Sequence, residues 1–303
     1  MKKLLIIGGS GFIGSSIVDS AVNKKLIKKK INEIFVLSRS NKSKQKKYRH
    51  VKITYINNNI LNVKKIPQID YIIYCLKNTD IKISNNYFNK FLKLLKTLKN
   101  KPNILFTSSG AVYGKNNNKK KVSEKEKIDT KAINNFEGYK KKYAKEKLFI
   151  EKKFKDLATK NYNVSIARCF TFIGKNIVRY NYAISDLIKA ANNKNNITLN
   201  SQIDVFRSYM HSDDLSNWLI TILKNSNTKC PIYNVGSDKV INLKNLTKKI
   251  GIMTNKKISI KIKKSNKFDY YIPSILKAKK ELNLKNSISL KDALSSTISV
   301  NNE

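Results

Sequence analysis

The chain of 303 residues has only three cysteines, four prolines, ten glycines and two histidines, and only five of its 62 basic residues are arginine. Each scarcity excludes something. Cys75, Cys169 and Cys230 lie far apart, an odd number with no metal-ligand spacing, so no disulfide framework and no metal site is expected. Cys75 and Cys169 fall inside apolar, strand-like runs and read as small buried hydrophobes. So little proline and glycine argues against a low-complexity or linker-dominated chain. No apolar run approaches the roughly 18–20 residues of a membrane span. The opening MKKLLIIGGSGFIGSS has two lysines and a short apolar run, as a signal peptide would. The run stops after four residues at a glycine-rich turn, which predicts a cytoplasmic protein without a membrane partner.

Acidic side chains are scarce too, 20 against those 62, leaving a formal charge of +42. Such a charge invites a nucleic-acid reading, but its make-up weakens it. Lysine outnumbers arginine 57 to five, and asparagine, isoleucine and tyrosine are abundant, as AT-rich codons produce. The lysines spread over nearly every predicted surface, without the arginine and aromatic interleaving of a base-reading patch. No specific nucleic-acid partner is expected, although the field attracts anions in general and permits nonspecific binding.

What is present is order. At 41% hydrophobic the chain can bury a large core or two packed subdomains. Residues 4–7, 34–37, 51–56, 71–76 and 104–107 read as buried strands, apolar and β-branched. Amphipathic segments such as 13–26 and 87–98 lie between them. The βαβαβ alternation predicts the α/β class, with a Rossmann-type doubly wound parallel sheet. Residues 115–131 are charged and read as a surface loop, followed by a helix carrying Tyr143 and a strand at 164–169. Beyond Phe170 the pattern loosens. YNYAISDLIKAA reads as a helix, VFRSYMH as a strand, and SDDLSNWLITIL as a helix with Ser212 or Asp213 near its N-cap. YNVGS is a further strand and LKNLTKKIGIM a helix. With no repeat and no linker, a small C-terminal α/β subdomain is expected to lean on the sheet. Residues 1–170, completed by about 212–250, then form the dinucleotide-binding domain. Residues 171–211 and 251–303 form the substrate-binding subdomain.

IIGGSGFIG follows the first strand and opens a helix, placing Gly8, Gly11 and Gly14 in a G-x-x-G-x-x-G spacing. The first glycine makes a tight turn, the second lets backbone approach a pyrophosphate, and the third lets helix and strand pack closely. The helix N-terminus, at Phe12 and Ile13, adds N–H groups and a positive dipole end. At the end of the second strand stand Ser38 and Arg39, where NAD-binding folds usually carry an acid for the ribose 2′-hydroxyl. An arginine fork suits a 2′-phosphate, so NADP is the expected cofactor, with NAD the alternative.

A Tyr-x-x-x-Lys spacing occurs twice, at Tyr143/Lys147 and Tyr48/Lys52. In so lysine-rich a chain, random placement would produce about three such pairs. Order separates the two. Tyr48 precedes the third strand, on the adenine side of such a fold, whereas Tyr143 follows the strand that runs into TSSGAVYG. With these motifs in sequence the chain resembles the extended short-chain dehydrogenase/reductases of the nucleotide-sugar epimerase/dehydratase type. That family combines G-x-x-G-x-x-G, a Ser or Thr before VYG, a Tyr-x-x-x-Lys helix, and a late arginine gripping the substrate pyrophosphate. Here those fall on Gly8, Gly11 and Gly14, on Ser109, on Tyr143 and Lys147, and on Arg207.

The resemblance implies a nucleotide-sugar substrate. It makes Ser109, Tyr143 and Lys147 catalytic and Ser108, Thr171 and Arg207 substrate-binding, and a homodimer through a four-helix interface is common among relatives. Residues i and i+4 of a helix share a face, so the Lys147 ammonium is expected beside the Tyr143 phenol, favouring its phenolate. Ser109 would donate to the same sugar oxygen. Asn59 stands where an adenine-contacting Asp is common, and Thr171 where an Asn is frequent. The 4,6-dehydratases carry Asp-Glu after the Ser/Thr, where this chain has Gly110 and Ala111, so dehydration is not expected. Gly110 likewise denies the cysteine used by fucose-synthase-like members. What remains is an NADPH-dependent 4-keto-(deoxy)hexose reductase, towards which Arg39 points, or an NAD(P)-dependent C4-epimerase. A polyanion- or RNA-binding protein on a dehydrogenase fold is the alternative from another class. His211 reads as structural.

Overall fold

A computed structural model describes residues 2–23, 25–26, 30–39, 45–115, 120–177, 182–194, 196–262 and 267–299. The first half runs β1 (Lys2–Ile7), α1 (Phe12–Val22), β2 (Ile31–Ser38), β3 (Gln45–Tyr48), β4 (Val51–Asn57), β5 (Tyr71–Tyr74) and α2 (Ile81–Leu95). Then come β6 (Asn103–Ser109), α3 (Thr130–Asn134), α4 (Gly138–Ala158), β7 (Val164–Cys169), β8 (Phe172–Ile173) and α5 (Ala183–Asn193). β9 (Asn196–Ser201), β10 (Asp204–Arg207), β11 (Met210–His211), α6 (Ser212–Lys224), β12 (Ile232–Val235) and β13 (Ile241–Asn242) follow. The last elements are α7 (Leu243–Thr254), β14 (Lys257–Ile262), β15 (Phe268–Tyr271), α8 (Leu276–Leu282) and α9 (Leu290–Ser299).

Successive side chains of a strand face opposite ways, and in β1 both ways are inward. Leu4 and Ile6 enter one core and Leu5 and Ile7 the other, all fully buried. Burial on both faces is what turns the strands into continuous apolar runs. The sheet order is β12-β7-β6-β5-β1-β2-β4-β3. Every neighbouring pair is parallel except the edge pair β3/β4. This is the doubly wound α/β sheet the alternation predicts. Helices α1 and α6 pack together on one face. Helices α2 and α4 cover the other, around the rings of Tyr74, Phe88, Phe91, Phe106 and Phe154, with Phe106 and Phe154 stacked at 4.8 Å.

Three small sheets, β13-β10-β15, β11-β8 and β14-β9, make up the C-terminal part. The segment expected to complete the large sheet divides between the two parts. β12 joins the sheet and α6 packs on it, whereas α7 lies against α5, β10 and β14.

Other boundaries also differ from expectation. β3 folds back on β4 with Tyr48 opposite Val51, and Lys52 pairs with Glu33 at 3.0 Å, so Tyr48 and Lys52 are structural. α2 starts at Ile81, earlier than its aromatic residues suggest, because the Asp80 carboxylate accepts the Ile83 N–H at 3.1 Å. VFRSYMH splits into β10 and β11, in different sheets. The cap of α6 is His211, whose Nδ1 accepts the Asp213 N–H at 3.2 Å.

The glycine turn contains two kinds of glycine. A Cβ on Gly14 would stand 2.5 Å from the Gly9 Cα, so packing forbids it; on Gly11 its nearest contact is an ordinary 3.4 Å to the Gly8 oxygen. Thermal unfolding should therefore show Gly14→Ala strongly destabilised or unfolded. Gly11→Ala should stay within about 1 kcal/mol of wild type.

Candidate active site

The strand order reverses between β1 and β5, and ligand sites of open α/β sheets form beyond the strand ends at such a reversal. The residues singled out above gather there. Gly8, in the left-handed region at φ +92°, and Gly9 donate their N–H groups to the Leu37 carbonyl at 2.9 and 3.1 Å, tying the turn to the end of β2. From β5, the Cys75 N–H donates to Ile7 at 2.9 Å. Gly11 caps α1 with no side-chain hydrogen bond, leaving the positive end of the helix dipole without a side-chain cap.

Three features of this corner fit a dinucleotide. No protein atom needs the missing Cβ of Gly11. Ser38 is buried and its hydroxyl has no hydrogen-bond partner among the described residues. Arg39 is exposed where β2 ends. Asn59 lies past the end of β4, and its Oδ1 accepts the Leu61 N–H at 3.1 Å, capping a short 3-10 turn.

Ser109 ends β6. Its hydroxyl lies 3.3 Å from the Tyr271 hydroxyl and accepts the Ala111 N–H at 3.2 Å. Tyr271 in turn donates to the Cys169 carbonyl at 3.4 Å. Ser108, one residue earlier, faces the other way. It is buried and donates to Glu151 Oε1 at 2.6 Å. Arg168 grips the same carboxylate with two bonds, at 3.0 and 2.8 Å. Ser108 therefore anchors helix α4, and its hydroxyl is committed to that helix.

Lys147, one turn beyond Tyr143 on α4, is 2% exposed. Its ammonium donates to the Leu76 carbonyl at 2.9 Å and lies 5.0 Å above the Phe106 ring and 5.6 Å from the Tyr143 ring centre. Burial lowers its pKa, opposed by Glu146 and by the Cys75 and Cys169 thiols. Tyr143 stacks on Tyr139 at 5.8 Å. Desolvation pushes its phenol well above the usual range, and the nearby phenols of Tyr271 and Tyr182 push the same way. With desolvation the leading cause, the Tyr143 phenol stays protonated near neutral pH. Tyr271 and Cys169 adjoin both Ser109 and Tyr143, which brings Ser109, Tyr143 and Lys147 into one neighbourhood at the strand ends.

Two residues here escaped the sequence reading. Tyr271 belongs to β15, far along the chain from its partner Ser109. The Lys77 ammonium lies 5.9 Å from the Tyr143 ring centre and 3.4 Å from the Tyr182 hydroxyl. No local pattern marks either.

Arg207 pairs with Asp269 at 2.7 Å, donates to the carbonyls of Phe206 and Asp269 at 2.8 and 3.0 Å, and lies 5.7 Å from the Tyr271 ring centre. Burial pushes the Asp269 carboxyl up, but Arg207 and Lys140 outweigh it and hold it below the usual range. Thr171 donates to the Ser208 carbonyl. A Cβ on Gly110 would come 2.5 Å from the Phe170 ring. Among the described residues no cluster of His, Cys, Asp and Glu could hold a metal ion, and no helix is long and apolar enough to cross a membrane.

Comparison with known proteins follows the same outline. A profile described as the NAD dependent epimerase/dehydratase family matches residues 4–236. No curated protein matches the chain. Among solved structures, a UDP-N-acetylglucosamine 4-epimerase from Bacillus cereus is 17% identical at a TM-score of 0.74, covering 99% of this chain and 96% of that one. A dTDP-glucose 4,6-dehydratase from Bacillus anthracis in complex with NAD is 16% identical at 0.74, with the same coverage. RMD from Pseudomonas aeruginosa complexed with NADPH is 17% identical at 0.72, covering 100% and 99%. At such identities the likeness is one of fold.

The Ser108–Glu151–Arg168 knot is fully buried, so removing one charge strands the other. Glu151→Ala should lose about 3–5 kcal/mol in urea-induced unfolding.

Proposed function

The chain belongs to the NAD-dependent epimerase/dehydratase family, and from that premise we propose that it is an NADPH-dependent reductase of a nucleotide-linked 4-keto-(deoxy)hexose. The observation that carries this reading is the clustering of Ser109, Tyr143 and Lys147 near the glycine turn, with Phe170 packed against Gly110 at the next position. Elimination of water would need an acid where Phe170 leaves no space. Oxidation or reduction of one sugar carbon needs only the groups present.

In this reading Gly8, Gly11 and Gly14, with the α1 N-terminus at Phe12 and Ile13, hold the cofactor pyrophosphate. Ser38 and Arg39 hold the 2′-phosphate, and Asn59 borders the adenine. When bound, the dihydronicotinamide supplies a hydride to the sugar carbonyl carbon. Ser109 donates a hydrogen bond to the carbonyl oxygen as charge develops on it. Tyr143 gives that oxygen its proton, and a phenol that retains its proton at neutral pH, as burial makes it do here, suits the reducing direction. The Lys147 ammonium stabilises the phenolate left behind. Arg207, already paired with a carboxylate from β15, exchanges it for the substrate pyrophosphate. Thr171 borders the sugar, and Ser108 acts through Glu151 by fixing α4. The small sheets carrying Arg207 and Tyr271 form the substrate side.

NADPH oxidation with a panel of 4-keto nucleotide sugars tests the reading. Stoichiometric loss of NADPH is expected, and interconversion of sugars without net loss would show a C4-epimerase instead. Tyr143→Phe should cut turnover by about 10²–10⁴-fold while NADPH affinity, read by fluorescence titration, stays as in wild type. Arg39→Ala should weaken NADPH by about 10–100-fold, the worth of a charge-assisted pair, and leave NADH nearly unaffected. Equal losses for the two cofactors would sink the 2′-phosphate assignment.

A further inference from the structure

We propose that Glu146 is a positioning residue, the buried counter-ion that keeps Lys147 an ammonium within the site. The proposal rests on the reading that Lys147 serves Tyr143, but its test needs neither cofactor nor turnover.

Consecutive helix residues diverge by about 100°, yet here both side chains turn inward. Lys147 and Glu146 are 3% and 4% exposed at the side chain, with Nζ 3.8 Å from Oε2. The other oxygen, Oε1, accepts the Ser84 hydroxyl from α2 at 2.7 Å. Oε2 is buried and has no hydrogen-bond partner among the described residues, so its charge is left to the ammonium. At 3.8 Å the carboxylate balances that charge without capturing an N–H. One N–H goes to Leu76, and the others are left for the pocket.

The remaining groups around Lys147 cannot replace Glu146. Lys77, after β5, repels it. The thiols of Cys75, after β5, and Cys169, on β7, are pushed up to about 12 by burial and carry no charge near neutral pH. Tyr143 keeps its proton, and so does Tyr74 on β5, which burial and the Glu146 charge hold high. From β6 comes only the Phe106 ring. A buried ammonium without an anion tends to neutralise, and a neutral lysine would take from the Tyr143 phenolate the cation that α4 itself carries, leaving Lys77 at 5.9 Å from the ring centre. Burial also pushes Glu146 up, opposed by Lys147 and Ser84.

The test is an NMR titration of cofactor-free protein labelled at lysine Cε, with Lys147 assigned through Lys147→Arg. Lys147 should be charged at pH 7 and titrate apart from the surface lysines. Glu146→Gln should move that titration down by about one pH unit or more, and Glu146→Asp should restore most of it. An unmoved titration in Glu146→Gln, or a neutral Lys147 in wild type at pH 7, overturns the proposal. Wild-type protein labelled at glutamate Cδ decides the matter even if the variants do not fold. Glu146 must be ionised where Lys147 is charged, and a protonated Glu146 beside a charged Lys147 overturns the proposal. Failure of the NADPH assays would bear on the reductase reading and leave these titrations unaffected.

Discussion

The ion pair between Arg168 of β7 and Glu151 of α4 is buried on both sides, and the placement of everything α4 carries follows from it. A buried guanidinium must keep its carboxylate, so α4 cannot rotate without stranding one or the other. Ser108 adds a third contact from β6. With that rotation set, Tyr143, Lys147, Ile150 and Phe154 fall on the inner face, one helical turn apart. Exposed lysines at 142, 145 and 152 take the outer face. The adjacent residue of β6, Ser109, is thereby aimed at the space Tyr143 borders. A stability device and the proposed catalytic residues share the same strand ends.

The second constraint comes from the C-terminal sheets. β10 and β15 run parallel with Arg207 opposite Tyr271, so the guanidinium paired with Asp269 and the phenol touching Ser109 arrive as one unit. Phe170 links that unit to the large sheet, packing against Tyr271 at 4.7 Å and filling the space beside Gly110. Aromatic rings therefore fill the side of the site at Gly110. A reduction of one carbon asks for a proton donor, a hydrogen-bond donor and a cation, and dry walls strengthen all three.

How much of this could be read from residues alone depended on whether the cause was local. The strands of the large sheet were legible because burial on both faces makes their whole length apolar. The glycine turn was legible because close backbone packing leaves glycine few substitutes, as Gly8 and Gly14 show. β3 was hidden: as an edge strand its sequence QKKY is polar, with none of the apolar signal of a buried strand. The start of α2 was hidden because its first turns, IKISNN, lack the apolar period, and the Asp80 cap does the work instead. In the site, Ser109, Tyr143 and Lys147 stood out by motif and order. Tyr271, Lys77 and the inward turn of Glu146 arise only when β15, β5 and α2 converge, and no window along the chain contains that convergence. The bond from Lys147 to the Leu76 carbonyl was illegible for the same reason, since helical spacing says which face a side chain shares but not which carbonyl it meets.

The net charge of +42 and the single ammonium of Lys147 act through different physics. Surface lysines are solvated, and beyond a Debye length of about 8 Å at physiological salt their fields are largely screened. They can raise the encounter rate of anionic ligands, an effect that weakens with added salt, but they cannot set the proton affinity of a buried phenol. Lys147 is buried, so salt screens its field far less. Its charge is correspondingly hard to keep, because burial removes the water that would stabilise it. In the proposed reading, a chain with 57 lysines depends for its chemistry on the one held beside a buried acid, and adding or removing surface lysines would alter how fast ligands arrive far more than what happens to them.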